Sequence, residues 1–156
     1  MDATPAIRAR TYQLTPMRSA DIEAVLEIEE GIYAFPWTRG NFEDSLAYGY
    51  TAWLMRDAKQ LLGYAVMMRI LDEVHLLNIT IIAERQRAGL GSVLLQSLCE
   101  DARSHGVVRM MLEVRQSNAS GRAFYRRHGF AQIGERTDYY PAKQGREAAL
   151  VLEKKI

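Results

Sequence analysis

The segment that decides the fold is residues 86–91, Q-R-A-G-L-G, which join an apolar run to a run with helical spacing. The apolar run, H-L-L-N-I-T-I-I at 75–82, predicts a strand, and S-V-L-L-Q-S-L-C at 92–99 predicts a helix. Glycines at such a junction indicate either a plain turn or a phosphate-binding loop, because a helix N-terminus carries unpaired N–H donors and about half a positive charge. Arg85 and Arg87 add cationic side chains beside it.

Two common phosphate loops do not fit this segment. A dinucleotide-binding fingerprint requires a third glycine at position 94, where the sequence has Leu94. A Walker loop requires a Gly-Lys-Ser/Thr triplet, and none follows Gly91. The residues alone therefore leave two readings open, a helix-capping turn and a cradle for the pyrophosphate of another ligand.

The flanking patterns predict a mixed α/β fold. Tight turns between 51 and 82 indicate an antiparallel meander, and a helix between strands 74–82 and 107–115 indicates a parallel pair joined by a crossover. The predicted class is α/β, with a mixed, mostly antiparallel sheet, one central parallel crossover and helices on both faces. Strands are predicted at 7–14, 51–56, 61–71, 74–82, 107–115, 130–139 and 147–154, and helices begin at Ser19, Thr38, the glycine loop and Asn118 and end near Gly31, Leu46, Ser104 and Gly129.

Length and composition predict one globular domain. The chain has 156 residues, of which 48% are apolar and 25% charged. A single domain is expected over 1–156, with 1–6 as a flexible N-terminus and without a signal peptide or membrane span, so the expected location is the cytoplasm. The net charge of +1 gives no reason to expect nucleic acid or an anionic membrane as a partner. No metal site is expected, because Cys99 is the only cysteine and the three histidines lack ligand spacing.

The glycine loop resembles the acetyl-coenzyme A signature of the GNAT family of N-acetyltransferases, as Gln86-x-x-Gly89-x-Gly91. Further stretches resemble the members of this family that acetylate the N-terminal alanine of a small-subunit ribosomal protein. These stretches are A-F-P-W-T (34–38), L-D-E-V-H-L-L-N-I (71–79), L-E-V-R-Q-S-N-A-S-G-R-A-F-Y-R-R-H-G-F (112–130) and Y-Y-P-A-K-Q-G-R-E-A-A (139–149). The resemblance covers nearly the whole chain.

The resemblance implies an acetyl-CoA-dependent N-acetyltransferase that acts on the N-terminal peptide of a ribosomal protein by direct transfer in a ternary complex. Another protein N-terminus, a lysine or a small-molecule amine is the alternative acceptor. A non-catalytic acyl-CoA sensor would be favoured by the loss of a base or an acid, yet Glu113 and Tyr125 are both present. The resemblance implies neither a direct contact with nucleic acid nor binding to a membrane. It leaves the oligomeric state open, and a monomer is one of the options.

Two residues match the family's catalytic pair. Glu113 is an acid within the apolar strand M-M-L-E-V, and the family's matching glutamate is the general base. An outward-facing Glu113, or one paired with Arg115, is the alternative from the residues alone. The tyrosine that matches Tyr125 is the family's general acid for the departing thiolate, although packing alone also explains a tyrosine on that helix.

The coenzyme site is also implied by the resemblance. Asn118 is predicted as a helix N-cap, to which the family adds a contact with the pantetheine arm. Trp37 and Tyr139–Tyr140 match segments that border the acceptor peptide, although packing could also explain them. The coenzyme-binding residues are expected to be Ile79, Thr80 and Ile81 through main-chain groups, Arg87, Ala88, Gly89, Leu90, Gly91 and Ser92 around the pyrophosphate, and Asn118.

Overall fold

The computed structural model describes residues 12–58 and 60–156, where it contains seven strands and four α-helices. The predicted strand at 7–14 lies mostly outside these residues, and the first described strand begins at Gln13. The strands are β1 (Gln13–Pro16), β2 (Thr51–Asp57), β3 (Gln60–Ile70), β4 (Glu73–Ile81), β5 (Arg109–Arg115), β6 (Ala131–Pro141) and β7 (Arg146–Lys155), and the α-helices are α1 (Ile22–Ile32), α2 (Arg39–Ala47), α3 (Leu90–Ser104) and α4 (Ala119–Arg127).

The strands form one sheet in the order β1-β2-β3-β4-β5-β7-β6. The pairs β1/β2, β2/β3, β5/β7 and β6/β7 are antiparallel. Strands β4 and β5 are parallel, in register from Glu73↔Arg109 to Leu76↔Leu112, and α3 connects them along the chain. This topology confirms the predicted mixed, mostly antiparallel sheet with one parallel crossover.

The chain forms two compact units. Among the described residues, unit 1 comprises 12–58, 60–67 and Asn78–Leu95, and unit 2 comprises Met68–Leu77 and Gln96–Ile156. The single-domain organisation over 1–156 stays a prediction.

In unit 1, α1 buries one stripe at helical spacing, with Ile22, Val25 and Glu29 as its buried residues. A carboxylate on an otherwise apolar stripe is unusual, because glutamate is seldom fully buried without partners. The unit's largest buried side chains include Phe42 and Tyr64, whose rings meet edge to face at 6.0 Å between centroids. The Glu29 carboxylate of α1 therefore lies in a core that contains these aromatic rings.

Helix capping agrees with the sequence at α2 but not at α1. Thr38 Oγ1 accepts from Asn41 N–H at 3.2 Å, and Asn41 Oδ1 accepts from Thr38 N–H at 2.9 Å, which confirms the predicted cap. The predicted Ser19 cap is wrong, since Ser19 lies in a 3₁₀ turn that precedes α1. There the Asp21 carboxylate accepts from Arg18 N–H at 2.8 Å, so the side-chain bond at this turn leads back to the residue before it.

In unit 2, β5 alternates between a buried and a half-buried face. Met110, Leu112 and Val114 are buried, whereas Glu113 lies among the half-buried residues of the other face. Cys99 of α3 is also buried, and burial raises the pKa of its thiol. Within the described chain, no helix combines the length and the apolar character that crossing a membrane requires.

Gly63 is required by a close approach of β3 to β4. A Cβ at this position would lie 2.4 Å from the Thr80 carbonyl oxygen and 2.8 Å from Ile81 Cδ1. Gly63→Ala is therefore expected to lower the free energy of unfolding by about 1–3 kcal/mol, the usual effect of overpacking. Urea denaturation measures this, with Gly31→Ala in α1 as the control because open space surrounds that position. Equal stability of the two variants would show that β3 and β4 can move apart at no cost, so that Gly63 is not required there.

Candidate active site

The glycine loop of unit 1 connects the end of β4 to the start of α3. Residues 86–89 are exposed, and the first turn of α3 closes with Val93 N–H donating to the Gly89 carbonyl at 3.2 Å. Gly89 has a φ of +83°, in the left-handed region that glycine adopts without strain. Arg87 has a φ of +64°, so the chain turns sharply just before the helix. The predicted loop and helix start are confirmed.

A side chain ties this loop to β4. Gln86 Nε2 donates to the Ile81 carbonyl at 2.9 Å. The start of any helix presents main-chain N–H groups without acceptors inside the helix and about half a positive charge, an arrangement suited to a phosphate group. The predicted pyrophosphate residues, 87–92, run from the exposed turn into the first residues of α3.

The end of β4 turns the side chains of Thr80 and Ile81 into unit 1. Thr80 and Ile81 are 3% and 8% exposed. The close approach at Gly63 shows that the Thr80 carbonyl points toward β3. Successive carbonyls point to opposite edges of a strand, so the carbonyls of Ile79 and Ile81 point away from β3. The Ile81 carbonyl accepts a hydrogen bond from the Gln86 side chain. Of the three residues expected to contact the coenzyme through the main chain, Ile79 is thus the one whose carbonyl neither points toward β3 nor accepts from Gln86.

In unit 2, Glu113 holds an ion pair on the half-buried face of β5. Its Oε1 accepts from Arg136 Nε at 3.2 Å, and its side chain is 17% exposed. Arg115 was the alternative ion-pair partner of Glu113 from the sequence, but Arg115 pairs with the Glu147 carboxylate at 3.3 Å. The partner of Glu113 comes from β6, 23 residues further along the chain. Glu113 is therefore a constrained carboxylate with a small opening to solvent.

A second feature of unit 2 is the Tyr139 segment, residues 136–141 of β6. Its first residue, Arg136, carries the guanidinium that binds Glu113, and that guanidinium also lies 5.6 Å from the centre of the Tyr139 ring. Burial raises the pKa of Tyr140 to about 12, and the nearby carboxylate of Glu113 adds to the rise. The Tyr139 segment thus flanks Glu113.

Tyr125 lies near the end of α4 and is half-buried. Its ring packs edge to face against Phe130 at 5.5 Å and Phe124 at 5.3 Å between centroids. Its carbonyl accepts from Phe130 N–H at 3.0 Å, which fixes the chain at the helix end. The packing that was the alternative explanation for this tyrosine is thus present, and its role as an acid stays a prediction.

Asn118 is the N-cap of α4, as the sequence predicts. Its Oδ1 accepts from Gly121 N–H at 3.0 Å and from Ser120 Oγ at 3.2 Å. A Cβ at Gly121 would lie 2.4 Å from Asn118 Nδ2, so the cap leaves no room for a larger residue there. The contact of Asn118 with the pantetheine arm stays a prediction.

Glu29, whose role the sequence pattern does not indicate, organises a largely buried polar network in unit 1. The side chain is 2% exposed, and its Oε1 accepts from Tyr64 OH at 2.7 Å and from Asn78 Nδ2 at 3.1 Å. Its Oε2 accepts from Trp37 N–H at 2.9 Å, so the carboxylate anchors the segment between α1 and α2. The available signal was an acid at a buried position of the α1 stripe.

The network continues from Asn78 to the end of β4. Thr80 Oγ1 lies 2.8 Å from Asn78 Oδ1 and 2.8 Å from Tyr33 OH. Burial raises the pKa of both Tyr33 and Tyr64, and for Tyr64 the adjacent Glu29 carboxylate adds to the rise. The network therefore joins α1, the 33–38 segment and the part of β4 expected to meet the coenzyme.

Comparison with known proteins identifies the class. The family model for the acetyltransferase (GNAT) family matches residues 22–130, which include the glycine loop, Glu113 and Tyr125. The chain belongs to this family, whose members transfer an acetyl group from acetyl-CoA, so it is an acetyl-CoA-dependent N-acetyltransferase.

Several relatives that are similar in sequence share one named activity within the family. The chain is 35% identical over 136 residues to the [ribosomal protein bS18]-alanine N-acetyltransferase of Salmonella typhimurium, with 87% of this chain and 92% of the relative covered. It is 34% identical to the protein of that name from Haemophilus influenzae, with coverages of 89% and 95%. The crystal structure of the ribosomal-protein-S18-alanine N-acetyltransferase from Escherichia coli superposes with a TM-score of 0.87 at 32% identity, over 93% of this chain and 94% of that one.

Proposed function

We propose that this protein acetylates the N-terminal alanine of ribosomal protein bS18, with acetyl-CoA as the donor. The observation that carries the proposal is the similarity to bS18-alanine N-acetyltransferases along almost the full length of both chains. In the cell the acceptor is the N-terminal peptide of the ribosomal protein, and the reaction takes place in the cytoplasm, where ribosomal proteins are made. No nucleic-acid contact is part of the proposal.

The coenzyme binds along β4 and the glycine loop. Residues 87–91 and Ser92 receive the pyrophosphate at the start of α3, where the helix field and main-chain donors favour negative charge. Ile79, Thr80 and Ile81 contribute main-chain groups to the acetyl and pantetheine amides, and Asn118 contributes its side-chain amide to the pantetheine arm. The bond from Gln86 to Ile81 supports this arrangement, because it holds the loop against the end of the strand.

Glu113 takes the proton of the acceptor. An α-amino group has a pKa near 7.7–8.0, so at neutral pH only about a tenth of it is the nucleophilic amine. The Glu113 carboxylate accepts the surplus proton directly or through water, and the neutral amine attacks the thioester carbonyl. Its partial exposure and its fixed position beside the Tyr139 segment support this role.

Tyr125 assists the departure of the thiolate. When the tetrahedral intermediate collapses, the carbon–sulfur bond breaks and the electron pair stays on sulfur. The Tyr125 hydroxyl donates a hydrogen bond to the sulfur as negative charge develops there, so it acts as an acid on the leaving group while the intermediate collapses. Full transfer to a free thiolate would be uphill, because a thiol pKa near 8.5 lies below the phenol pKa near 10. The acetyl group passes directly to the amine, without a covalent enzyme intermediate.

The decisive experiment measures acetyl transfer to a peptide that copies the alanine start of bS18. A second peptide carries the same sequence with a blocked N-terminus and an added lysine, and mass spectrometry locates the acetyl group. We expect kcat/KM for the free α-amino peptide to exceed that for the blocked peptide by about 10²-fold or more, because only the α-amino group reaches Glu113 correctly oriented. Equal transfer to the lysine would overturn the proposed acceptor while leaving the family assignment intact.

A further inference from the structure

We infer that Arg146 is a positioning residue for the acceptor peptide, because it holds the Tyr139 segment in place beside Glu113. The inference rests on the proposed function and extends it to the residues that receive the acceptor chain. It depends on a break in strand pairing, on two hydrogen bonds and on the place of Tyr139.

The Tyr139 segment contains a bulge that strand pairing does not hold. Strand β6 pairs with β7 at Arg136↔Ala149 and again at Tyr140↔Glu147, and the register shifts between these two pairs. Within the shift, Asp138 has a φ of +50°, which a non-glycine residue seldom adopts. A bulge of this kind interrupts the ladder and redirects side chains, so the residues within it lack regular strand pairing.

Arg146, the first residue of β7, binds the main chain of the bulge. Its Nε donates to the Asp138 carbonyl at 2.8 Å, and its Nη2 donates to the Tyr139 carbonyl at 2.8 Å. One planar guanidinium thus binds two successive carbonyls of the bulge, a geometry that an ammonium group cannot reproduce. Arg146 fixes the main chain on which the Tyr139 ring is mounted.

The neighbouring arginine secures the end of the same segment. Arg115 Nη1 donates to the Pro141 carbonyl at 2.7 Å, and its guanidinium lies 4.4 Å from the centre of the Tyr140 ring. Tyr140 is therefore held by the contacts of its own ring. Arg146 holds the main chain at Tyr139, whose ring packs against that of Tyr140 at 4.9 Å between centroids. Tyr139 keeps 44% of its surface exposed, whereas Tyr140 is half-buried.

The position of the Tyr139 ring near Glu113 relates Arg146 to the binding of the acceptor peptide. Arg136 binds the Glu113 carboxylate and lies over the Tyr139 ring, so the ring stands one side chain away from Glu113. An amine that gives its proton to Glu113 is the first atom of a polypeptide, and the residues that follow it must cross the neighbouring surface. An exposed aromatic ring fixed there provides contact area with little loss of conformational entropy.

The test is steady-state kinetics of the full chain with the bS18 peptide, for Arg146→Met and Arg146→Lys. The methionine variant keeps a long side chain without donors, and the lysine variant keeps the charge with a single donor point. We expect KM for the peptide to rise about tenfold in Arg146→Met and less in Arg146→Lys, with kcat and KM for acetyl-CoA within about twofold of the wild type. Arg103→Met, on the exposed face of α3, is the matched control and leaves every constant unchanged.

Each other outcome overturns a different statement. An unchanged peptide KM in Arg146→Met, with an active wild type, overturns the positioning role and leaves the proposed function standing. A fall in kcat together with a lower melting temperature assigns Arg146 a purely structural role, which also overturns the inference. A wild type that transfers nothing to the peptide overturns the proposed function and this inference with it.

Discussion

Replacing Glu113 by glutamine is expected to lower kcat/KM for the bS18 peptide by about 10²–10⁴-fold, the usual contribution of a positioned general base. Glutamine keeps the size of the side chain and its ability to accept from Arg136 but cannot take up a proton. The loss should therefore appear in kcat, while the affinity for acetyl-CoA stays unchanged. Initial rates at neutral pH, together with calorimetric titration of acetyl-CoA, measure both quantities.

The matched control for this substitution is Glu135→Gln, which makes the same chemical change at an exposed position of β6. The control should retain full activity. If Glu113→Gln retained more than about a tenth of the wild-type kcat/KM, the proton would have another acceptor, since losing a positioned base costs at least 10²-fold. A variant that lost both activity and thermal stability would indicate damage to the ion pair with Arg136 rather than the loss of a base.

The second large effect concerns stability. Glu29→Ala is expected to lower the free energy of unfolding by about 3–5 kcal/mol, because it leaves buried donors unpaired and opens a cavity. The donors are Tyr64 OH, Asn78 Nδ2 and Trp37 N–H. This loss is a large fraction of the roughly 5–15 kcal/mol that stabilises an ordinary domain. Urea denaturation with an unchanged m-value measures it.

Glu27→Ala is the control for the alanine substitution, since Glu27 lies exposed on the same helix. A double-mutant cycle with Tyr64→Phe isolates the contact of Tyr64 with Glu29. The cost of removing the Tyr64 hydroxyl should be smaller in the Glu29→Ala background, because that hydroxyl has already lost its acceptor. If Glu29→Ala were as stable as Glu27→Ala, the network would contribute nothing to the fold.

Local features of the fold could be predicted because each depends on a short stretch of chain. The Thr38 cap, the Asn118 cap and the helix start after Gly89 follow from residue types within three or four positions. The crossover between β4 and β5 follows from a helical pattern between two apolar runs. The predicted Ser19 cap was wrong, because serine and aspartate are both common capping residues and the residue types alone did not indicate the 3₁₀ turn that contains them.

The candidate site could be predicted only in part, because its contacts join distant positions. Glu113 was identified as unusual in an apolar strand, yet its partner, Arg136, lies on another strand. Glu29 was visible as an acid on a buried stripe, but nothing nearby in sequence indicates Tyr64 or Asn78 as donors. Such pairings depend on sheet order and on register shifts, which periodicity does not encode.

The burial of Cys99 has a consequence for the chemistry of turnover. The proposed reaction releases a thiol, coenzyme A, in every cycle, and oxidised coenzyme A forms mixed disulfides with accessible protein thiolates. The chain has one cysteine, which lies inside the core with only 4% of its surface exposed, and burial raises the pKa of its thiol, which disfavours the reactive thiolate. Disulfide exchange therefore requires an opening of the core around α3, and its rate would report the free energy of that opening.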